Sequence, residues 1–376
     1  MISHSDQLFF EILQAGLWGK EVQTASTREE LGRVVKISFS QAVLSIVGDV
    51  IISKPALSNL LNEQEYMFIR KFVMSNMSTS RTWNITIQRL VSEMRQHGVE
   101  PILLKGQGIA QYYPNPALRQ CGDIDIYVGT EQYETACSVL LKMISDSDKH
   151  TIKDIPKHFH AYLGKVPVEV HKYTDVYHPK RYNKKYQRIS DEGMSMHAVT
   201  VDFAGFPVQT PPVDFNVFYI FNHLWHHFIA DGVGLRQICD LAMLLHATHN
   251  QINKEYLKKS LEILGLMKQW KVFGYIVVDK LGLPKEEYPF YDRKHLKLAE
   301  KVFRLVMIEG NFGYENMKTH NRPKGYLKGK LYSLAFRTKR NMRVLSLFPK
   351  DSLRHICRVI NKGVRVVLVD IFRKKS

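Results

Sequence analysis

Residues 103–128 read LLKGQGIAQYYPNPALRQCGDIDIYV, and this stretch decides the fold. An apolar run from Val99 to Leu104, interrupted only by Glu100 and Pro101, predicts a buried strand. Lys105-Gly106-Gln107-Gly108 is a turn in which glycine lets the backbone approach a ligand closely. A short helix carrying Ile109, Ala110 and Tyr112 follows. Pro114 and Pro116 end it, and a polar loop leads through Arg119 into Asp123-Ile124-Asp125-Ile126-Tyr127-Val128. In a strand, residues i and i+2 share a face. Asp123 and Asp125 therefore project together, while Ile124, Ile126 and Val128 face a core. Adjacent carboxylates repel each other unless something positive joins them, and Mg²⁺ commonly takes one or two carboxylates together with substrate phosphates. Asp-x-Asp by itself occurs on many surface strands; the upstream strand, glycine turn and helix give it a context.

Further out, residues 157–173 (KHFHAYLGKVPVEVHKY) alternate on both sides of Gly164-Lys165, a hairpin signature. On its second strand Glu169 and His171 share a face opposite Val166, Val168 and Val170. His158, His160, His171 and His178 raise a zinc reading, because His-x-His on a strand presents two imidazoles together. No cysteine or further close acid completes that set. Amphipathic helices are expected at Trp83–His97, ended by Gly98, and at about Glu131–Ser145. Upstream, helices are expected at Gln7–Leu17, Glu29–Val47 and Glu63–Met74. Downstream, a weak strand pair surrounds Gly205, Pro211-Pro212 breaks the chain, and Asp214 caps an apolar helix that stops at Asp231-Gly232. The next helix spans Leu235–His249, with Arg236 and Asp240 four residues apart and so placed to pair. Lys254–Leu264, Met267–Leu281 and Arg293–Ile308 continue a helical bundle.

Three signatures now stand together: Leu104-Lys105-Gly106, the loop Tyr113-Pro114-Asn115-Pro116-Ala117-Leu118-Arg119, and Asp123-Ile124-Asp125. They resemble the nucleotidyltransferase superfamily that includes DNA polymerase β. More closely, they are similar to a bacterial branch showing a Leu-Lys-Gly turn, a Tyr-Pro-x-Pro-x-x-Arg loop and an Asp-Ile-Asp strand. Better-studied superfamily members carry Gly-Ser where this chain has Lys105-Gly106. The resemblance is specific from about Pro101 to Val128 and weaker to about Leu245. It implies metal-dependent transfer of a nucleotidyl group from an NTP to an unidentified acceptor. Val168-Glu169-Val170-His171 resembles the family's Val-Glu-Leu-His segment. On that resemblance Asp123, Asp125 and Glu169 are the expected catalytic residues and the ligands of Mg²⁺ (or Mn²⁺). Lys105 and the amides of Gly106 to Gly108 are expected to cradle phosphate. Arg119 either neutralises triphosphate charge or holds its loop, and His171 either contacts phosphate or orients Glu169. A His-rich helix followed by a Leu-Arg-x-x-x-Asp helix would bring His223, His227 and Arg236 toward the nucleotide. Alternatively, these three satisfy one another where two helices pack.

The expected fold class is α+β: a small mixed β-sheet nucleotidyltransferase core flanked by N- and C-terminal helical regions. The corresponding division is a helical N-terminal region (1–82), the core (83–210), a helical domain (211–320) and a basic C-terminal tail (321–376). Two other classes stay open. An Asp-x-Asp glycosyltransferase would have a larger doubly wound sheet before the motif, where this chain shows helical patterns. A catalytically silent scaffold or membrane-surface partner would be favoured by loss of Glu169 from the cleft.

The 376 residues, 45% hydrophobic and 24% charged, suit a globular chain with a sizeable core. Net charge is +17, yet residues 322–376 hold 16 Lys and Arg against Asp351 and Asp370, which is +14 of that total. The rest of the chain is close to neutral, so its chemistry has no need of nucleic acid. The tail suits a packed appendage with a solvated basic face, an anionic membrane surface or, after these, nucleic acid. Cys121, Cys137, Cys239 and Cys357 form no C-x-x-C pair, which fits a reducing compartment. With no signal pattern and no apolar stretch of about 18 residues, the expected location is cytoplasmic or peripheral to the inner membrane face.

Overall fold

The computed structural model describes residues 4–155, 157–203, 205–313, 332 and 340–359. Among them, seven short strands form one mixed sheet. They are β1 Ile102–Leu104, β2 Ile124–Tyr127, β3 Lys153–Ile155, β4 His158–Leu163, β5 Val166–His171, β6 Val199–Asp202 and β7 Pro207–Thr210. Their spatial order is β3-β4-β5-β2-β1-β7-β6. The β2–β5 and β1–β7 pairs are parallel and the others antiparallel. Helical segments precede, interrupt and follow the sheet, so the class is α+β. The residues before β1 are helical, and a doubly wound sheet ahead of Asp-x-Asp is therefore missing among the described residues.

Strand alternation sorts the sheet into two chemically different faces. Ile124, Ile126, Phe159, Ala161, Val168 and Val170 point one way and are buried against Ile87, Leu90, Val91 and Met94 and against Ala136, Val139 and Leu140. Those partners lie on the helices Glu63–Gln96 and Tyr133–Met143. The other face carries the polar set, and the register brings it together. Asp125 is opposite Glu169 across the parallel pair, and His160 and His158 are opposite Glu169 and His171 across the hairpin. A one-residue slip would drive these carboxylates into the apolar core, so burial of one face specifies the position of the other.

Several expected helices differ in detail, each for a visible reason. Glu29–Val47 is not one helix: Arg28–Ser40 and Leu44–Ser53 are separated at Ala42, whose φ is +55°. The break turns Gln41 into a buried clamp. Its Nε2 donates to the carbonyls of Val306 and Met307, and its Oε1 accepts from the amide of Leu235. Conversely, Glu63–Met74 and Trp83–His97 are parts of a single helix, Glu63–Gln96, and residue 82 lies within it. The intervening Ser/Thr/Asn residues contain no Gly or Pro and are used by the neighbouring loop. Asn76 donates to the carbonyl of Ala117, and Ser80 accepts from Gln107. Asp214 is not a cap; Pro212 precedes the helix Val213–Ala230, and Asp214 accepts from the amide of Asn253.

Part of the basic tail lies among the described residues, and that part packs. Arg340 is buried, paired with Glu309, and donates to the carbonyls of Phe228 and Ile229. Phe348 sits edge-on against Trp225 and Phe228. Most of residues 321–339, and the apolar segment after Gly363, lie outside the described residues. No helix among the described residues is long and apolar enough to cross a membrane.

Ile126, next to Asp125 in β2 and on the opposite face, is fully buried in the core. Ile126→Ala is expected to lower stability by about 2–5 kcal/mol, read from the midpoint of urea unfolding.

Candidate active site

The site begins at a strained turn. Lys105 has φ +48° and Gly106 φ +42°, so two successive residues occupy the left-handed region that side chains disfavour. At Gly106 a Cβ would lie 3.3 Å from Cys121 Sγ and 3.4 Å from the Asp123 carbonyl, and glycine lets the turn rest against the start of β2. The turn aims Lys105 across the sheet, where Nζ lies 3.0 Å from Asp125 Oδ1. Gly108 serves packing instead: a Cβ there would sit 3.2 Å from Thr210 Cγ2 and 3.3 Å from the Leu103 carbonyl. It does not line the cleft.

Asp125 is almost completely buried. Its Oδ1 meets Lys105 Nζ and, at 2.9 Å, His171 Nε2, while its Oδ2 is buried with no hydrogen-bond partner. Asp123, Asp125 and Glu169 present carboxylate oxygens that all lie within 4.8 Å of one another. The electrostatics follow from that crowding. Repulsion from Asp125, then burial, lifts Asp123 to about 6. Burial opposes the charge on Asp125, but Lys105 and the His171 hydrogen bond outweigh it and hold this carboxyl well below its ordinary value. Burial likewise disfavours the Lys105 ammonium, and Asp125, Asp123 and Glu169 more than restore it. Burial of Glu169 is overcome by the His171 hydrogen bond, and its pKa falls.

His171 is fully buried behind the cleft, bridging Asp125 and Glu169, whose Oε2 is 3.2 Å from Nε2. His158 Nδ1 lies 3.4 Å from the same oxygen, and His160 Nδ1 3.7 Å from Oε1. Burial pushes His158 down to about 4, so its imidazole is neutral at ordinary pH. His178 is elsewhere, lining a small cavity under residues 351–358.

The opposite wall comes from two helices, Val213–Ala230 and Leu235–Thr248. His223 and His227 both line the cleft and touch each other, Nε2 to Nε2 at 3.1 Å. Burial drives His227 to about 3 and His223 well below its usual value, so this is a neutral pair. The expected Arg236–Asp240 pair is replaced by another. Asp240 is held bidentately by Arg119, with Nε to Oδ1 at 2.9 Å and Nη2 to Oδ2 at 2.7 Å, and also accepts from Tyr113 at 2.8 Å. Arg119 Nη1 donates to the Gln120 carbonyl, so the guanidinium ties its loop to the helix Leu235–Thr248. Helical spacing brought Arg236 near Asp240, but the bidentate geometry of the loop arginine wins. Arg236 instead donates Nη1 to the Gln120 carbonyl, and its buried Nε has no partner.

Together these walls enclose a cleft of about 240 Å³. It gathers Lys105, Gly106, Arg119, Asp123, Asp125, Glu169, His223, His227 and Arg236, and leaves out Gly108 and His171. Sequence reasoning missed Lys157, which lines the cleft and pairs with buried Asp175 at 3.3 Å. A lysine at the mouth of a hairpin is indistinguishable from a surface lysine until the strand is placed. Phe312, under Arg236 at 5.7 Å, was also missed, because only the packed fold brings the turn after Leu296–Glu309 to the cleft.

A mixed sheet with three convergent carboxylates beneath a basic-lined cleft defines a nucleotidyltransferase-like architecture. Residues 28–277 match the family described as "Uncharacterised nucleotidyltransferase", and the chain belongs to it. Among solved structures, it is similar to the antibiotic-resistance factor ANT(2'')-Ia at 12% identity and a TM-score of 0.37, over 50% of this chain and 93% of that one. It is also similar to an antigenic nucleotidyltransferase-like protein from Paracoccidioides brasiliensis at 11% identity and a TM-score of 0.35, over 56% of this chain and 94% of that one. A search of curated proteins finds no match.

The Arg119–Asp240 pair is buried on both sides. Asp240→Ala is expected to cost about 3–5 kcal/mol by stranding the guanidinium, and the double variant Arg119→Met/Asp240→Leu to recover much of it, measured by chemical unfolding.

Proposed function

We propose that the protein transfers a nucleotidyl group from an NTP to an acceptor hydroxyl, with Mg²⁺ or Mn²⁺ held by Asp123, Asp125 and Glu169. The observation that carries this reading is the parallel register placing Glu169 beside Asp125, with Asp123 on the same face. The donor set fits a dication on two further counts. Asp125 Oδ2 is buried without a partner, and Asp123 is raised to about 6 by its neighbours, so the cluster lacks positive charge. Hard cations prefer all-oxygen sets of this kind. When bound, the metal supplies charge neutralisation at the phosphates and lowers the pKa of the attacking hydroxyl.

The chain's own residues account for the remaining needs. The acceptor oxygen attacks the α-phosphorus, the bond to the bridging oxygen breaks, and pyrophosphate leaves. Lys105, Lys157 and Arg236 line the cleft and meet the triphosphate charge. Arg236, with its Nε unengaged, can turn to phosphate without breaking an ion pair. Arg119 keeps the loop in place through Asp240. Glu169 takes the acceptor proton, and His171 holds that carboxylate in position. His223 and His227, neutral and adjacent, offer hydrogen bonds to the nucleotide without adding charge. Glu169 lies in the cleft, and its presence there argues against a silent scaffold.

NTPs labelled at the α-phosphate, incubated with protein, Mg²⁺ or Mn²⁺ and a cell extract, are expected to label a macromolecule or metabolite. The Asp123→Asn/Asp125→Asn variant is expected to abolish that label. Equal labelling by the variant, or neither transfer nor metal-dependent NTP binding by the native chain, would overturn the proposal. Metal affinity should also follow the Asp123 proton. A carboxyl raised to about 6 is protonated below that pH, and a metal must displace the proton. Mn²⁺ titrations followed by EPR should therefore show affinity falling as pH drops through about 6, with proton release on binding just below it.

A further inference from the structure

Glu169 faces two ways. Toward β2 it joins Asp123 and Asp125, and on its other side it meets the imidazoles of His158 on β4 and His171 on its own strand. Its Oε2 lies 3.2 Å from His171 Nε2 and 3.4 Å from His158 Nδ1, and donor atoms of all three residues fall within 4.8 Å of one another. In the sequence a zinc reading of these histidines fails for want of an acid. The hairpin register supplies the acid: His158 stands opposite His171, and Glu169 is two residues before His171 on the same face.

We propose that His158, Glu169 and His171 form a transition-metal site of the Zn²⁺ class, sharing Glu169 with the all-carboxylate set but chemically distinct from it. Three observations carry this. The first is spacing. Tetrahedral Zn²⁺ with bonds near 2.0–2.1 Å places its ligand atoms about 3.3–3.4 Å apart. Both imidazole contacts to Glu169 Oε2, at 3.2 and 3.4 Å, are already at that separation. The second is an unmet valence. His158 Nδ1 is buried and makes no hydrogen bond despite facing a carboxylate, so its close approach earns nothing as the chain stands. A metal ion would take that nitrogen and the carboxylate oxygen together, with His171 Nε2 exchanging its hydrogen bonds to Asp125 and Glu169 for the metal. The third is donor type. Two imidazoles and a carboxylate select zinc-like dications, whereas Mg²⁺ seeks oxygen alone. A set of two histidines and one glutamate also leaves a fourth coordination position, as catalytic rather than structural zinc sites do. Because Glu169 lines the cleft, that position belongs to the neighbourhood where the proposed reaction would seat its acceptor; this last placement alone rests on the nucleotidyl reading.

Cobalt(II) tests the site without relying on turnover. Full-length protein stripped with a chelator is titrated with Co²⁺, whose visible d–d bands intensify in low-coordinate nitrogen-containing sites. The native chain is expected to develop such bands at one equivalent, displaced by Zn²⁺ and not by excess Mg²⁺. His158→Ala should lose them and Asp123→Asn should keep them. His158→Gln, which preserves size and polarity, repeats the test should the alanine variant misfold by circular dichroism. No bands in the native chain, or equal bands in the native chain and a folded His158 variant, would overturn the site. So would loss in Asp123→Asn with retention at His158. Mn²⁺–ATP binding measured on the same samples separates the two proposals. Nucleotide binding without cobalt bands counts against the zinc-class site alone, and bands without nucleotide binding count against the nucleotidyl reading alone.

Discussion

Mutual repulsion among Asp123, Asp125 and Glu169 is the constraint on which the rest of the structure depends. Their oxygens lie within 4.8 Å of one another and Asp125 is almost wholly buried, an arrangement that falls apart unless positive charge and hydrogen-bond donors are brought to it. Lys105 and His171 do that on Asp125 Oδ1. The strained left-handed turn at Lys105-Gly106 is intelligible in this light, since it is the conformation that swings the lysine over the strand. Compensation is incomplete: Asp125 Oδ2 is left unpartnered and Asp123 is raised, a residual deficit of positive charge on which the proposed metal site rests.

Holding such a cluster requires rigidity elsewhere. The apolar face of the sheet, closed by Glu63–Gln96 and Tyr133–Met143, prevents register slip. The loop between β1 and β2 is pinned from two sides. Asn76 of the long helix binds the Ala117 carbonyl, and Asp240 of the helical wall takes Arg119 and Tyr113. Burying an ion pair contributes little stability against an apolar alternative, but its bidentate geometry specifies one position for the loop. That position in turn delivers the Gln120 carbonyl to Arg236 and leaves the Arg236 Nε unengaged at the cleft.

The helical parts are joined by polar contacts of the same economy. Gln41, turned inward by the break at Ala42, links the first helices to the start of Leu235–Thr248 and the end of Leu296–Glu309. Arg340 does likewise for residues of the basic tail, covering the last carbonyls of Val213–Ala230. Among the described residues of the tail, then, at least one positive charge that a composition count would assign to a surface is a buried structural plug.

What the sequence by itself determined is the local grammar: strand, glycine turn, short helix and Asp-x-Asp strand, followed by a hairpin whose period of two set Glu169 and His171 on one face. These are legible because side-chain direction in a strand depends only on parity. The α+β class followed from the same alternation set among helical periods. The tertiary structure decided the pairings between segments distant along the chain. Parity could not reveal that β5 lies parallel to β2 with Glu169 beside Asp125, or that β4 turns His158 onto the same carboxylate. Nor could helical spacing reveal that Asp240 would take Arg119, 121 residues away, over Arg236 one turn away. It could not show that Glu63–Gln96 would run unbroken through a polar stretch, because the partners of Asn76 and Ser80 come from another part of the chain. Local propensity is a short-range property, whereas ion-pair choice, burial and donor geometry are settled by which surfaces the packed fold brings within hydrogen-bonding distance.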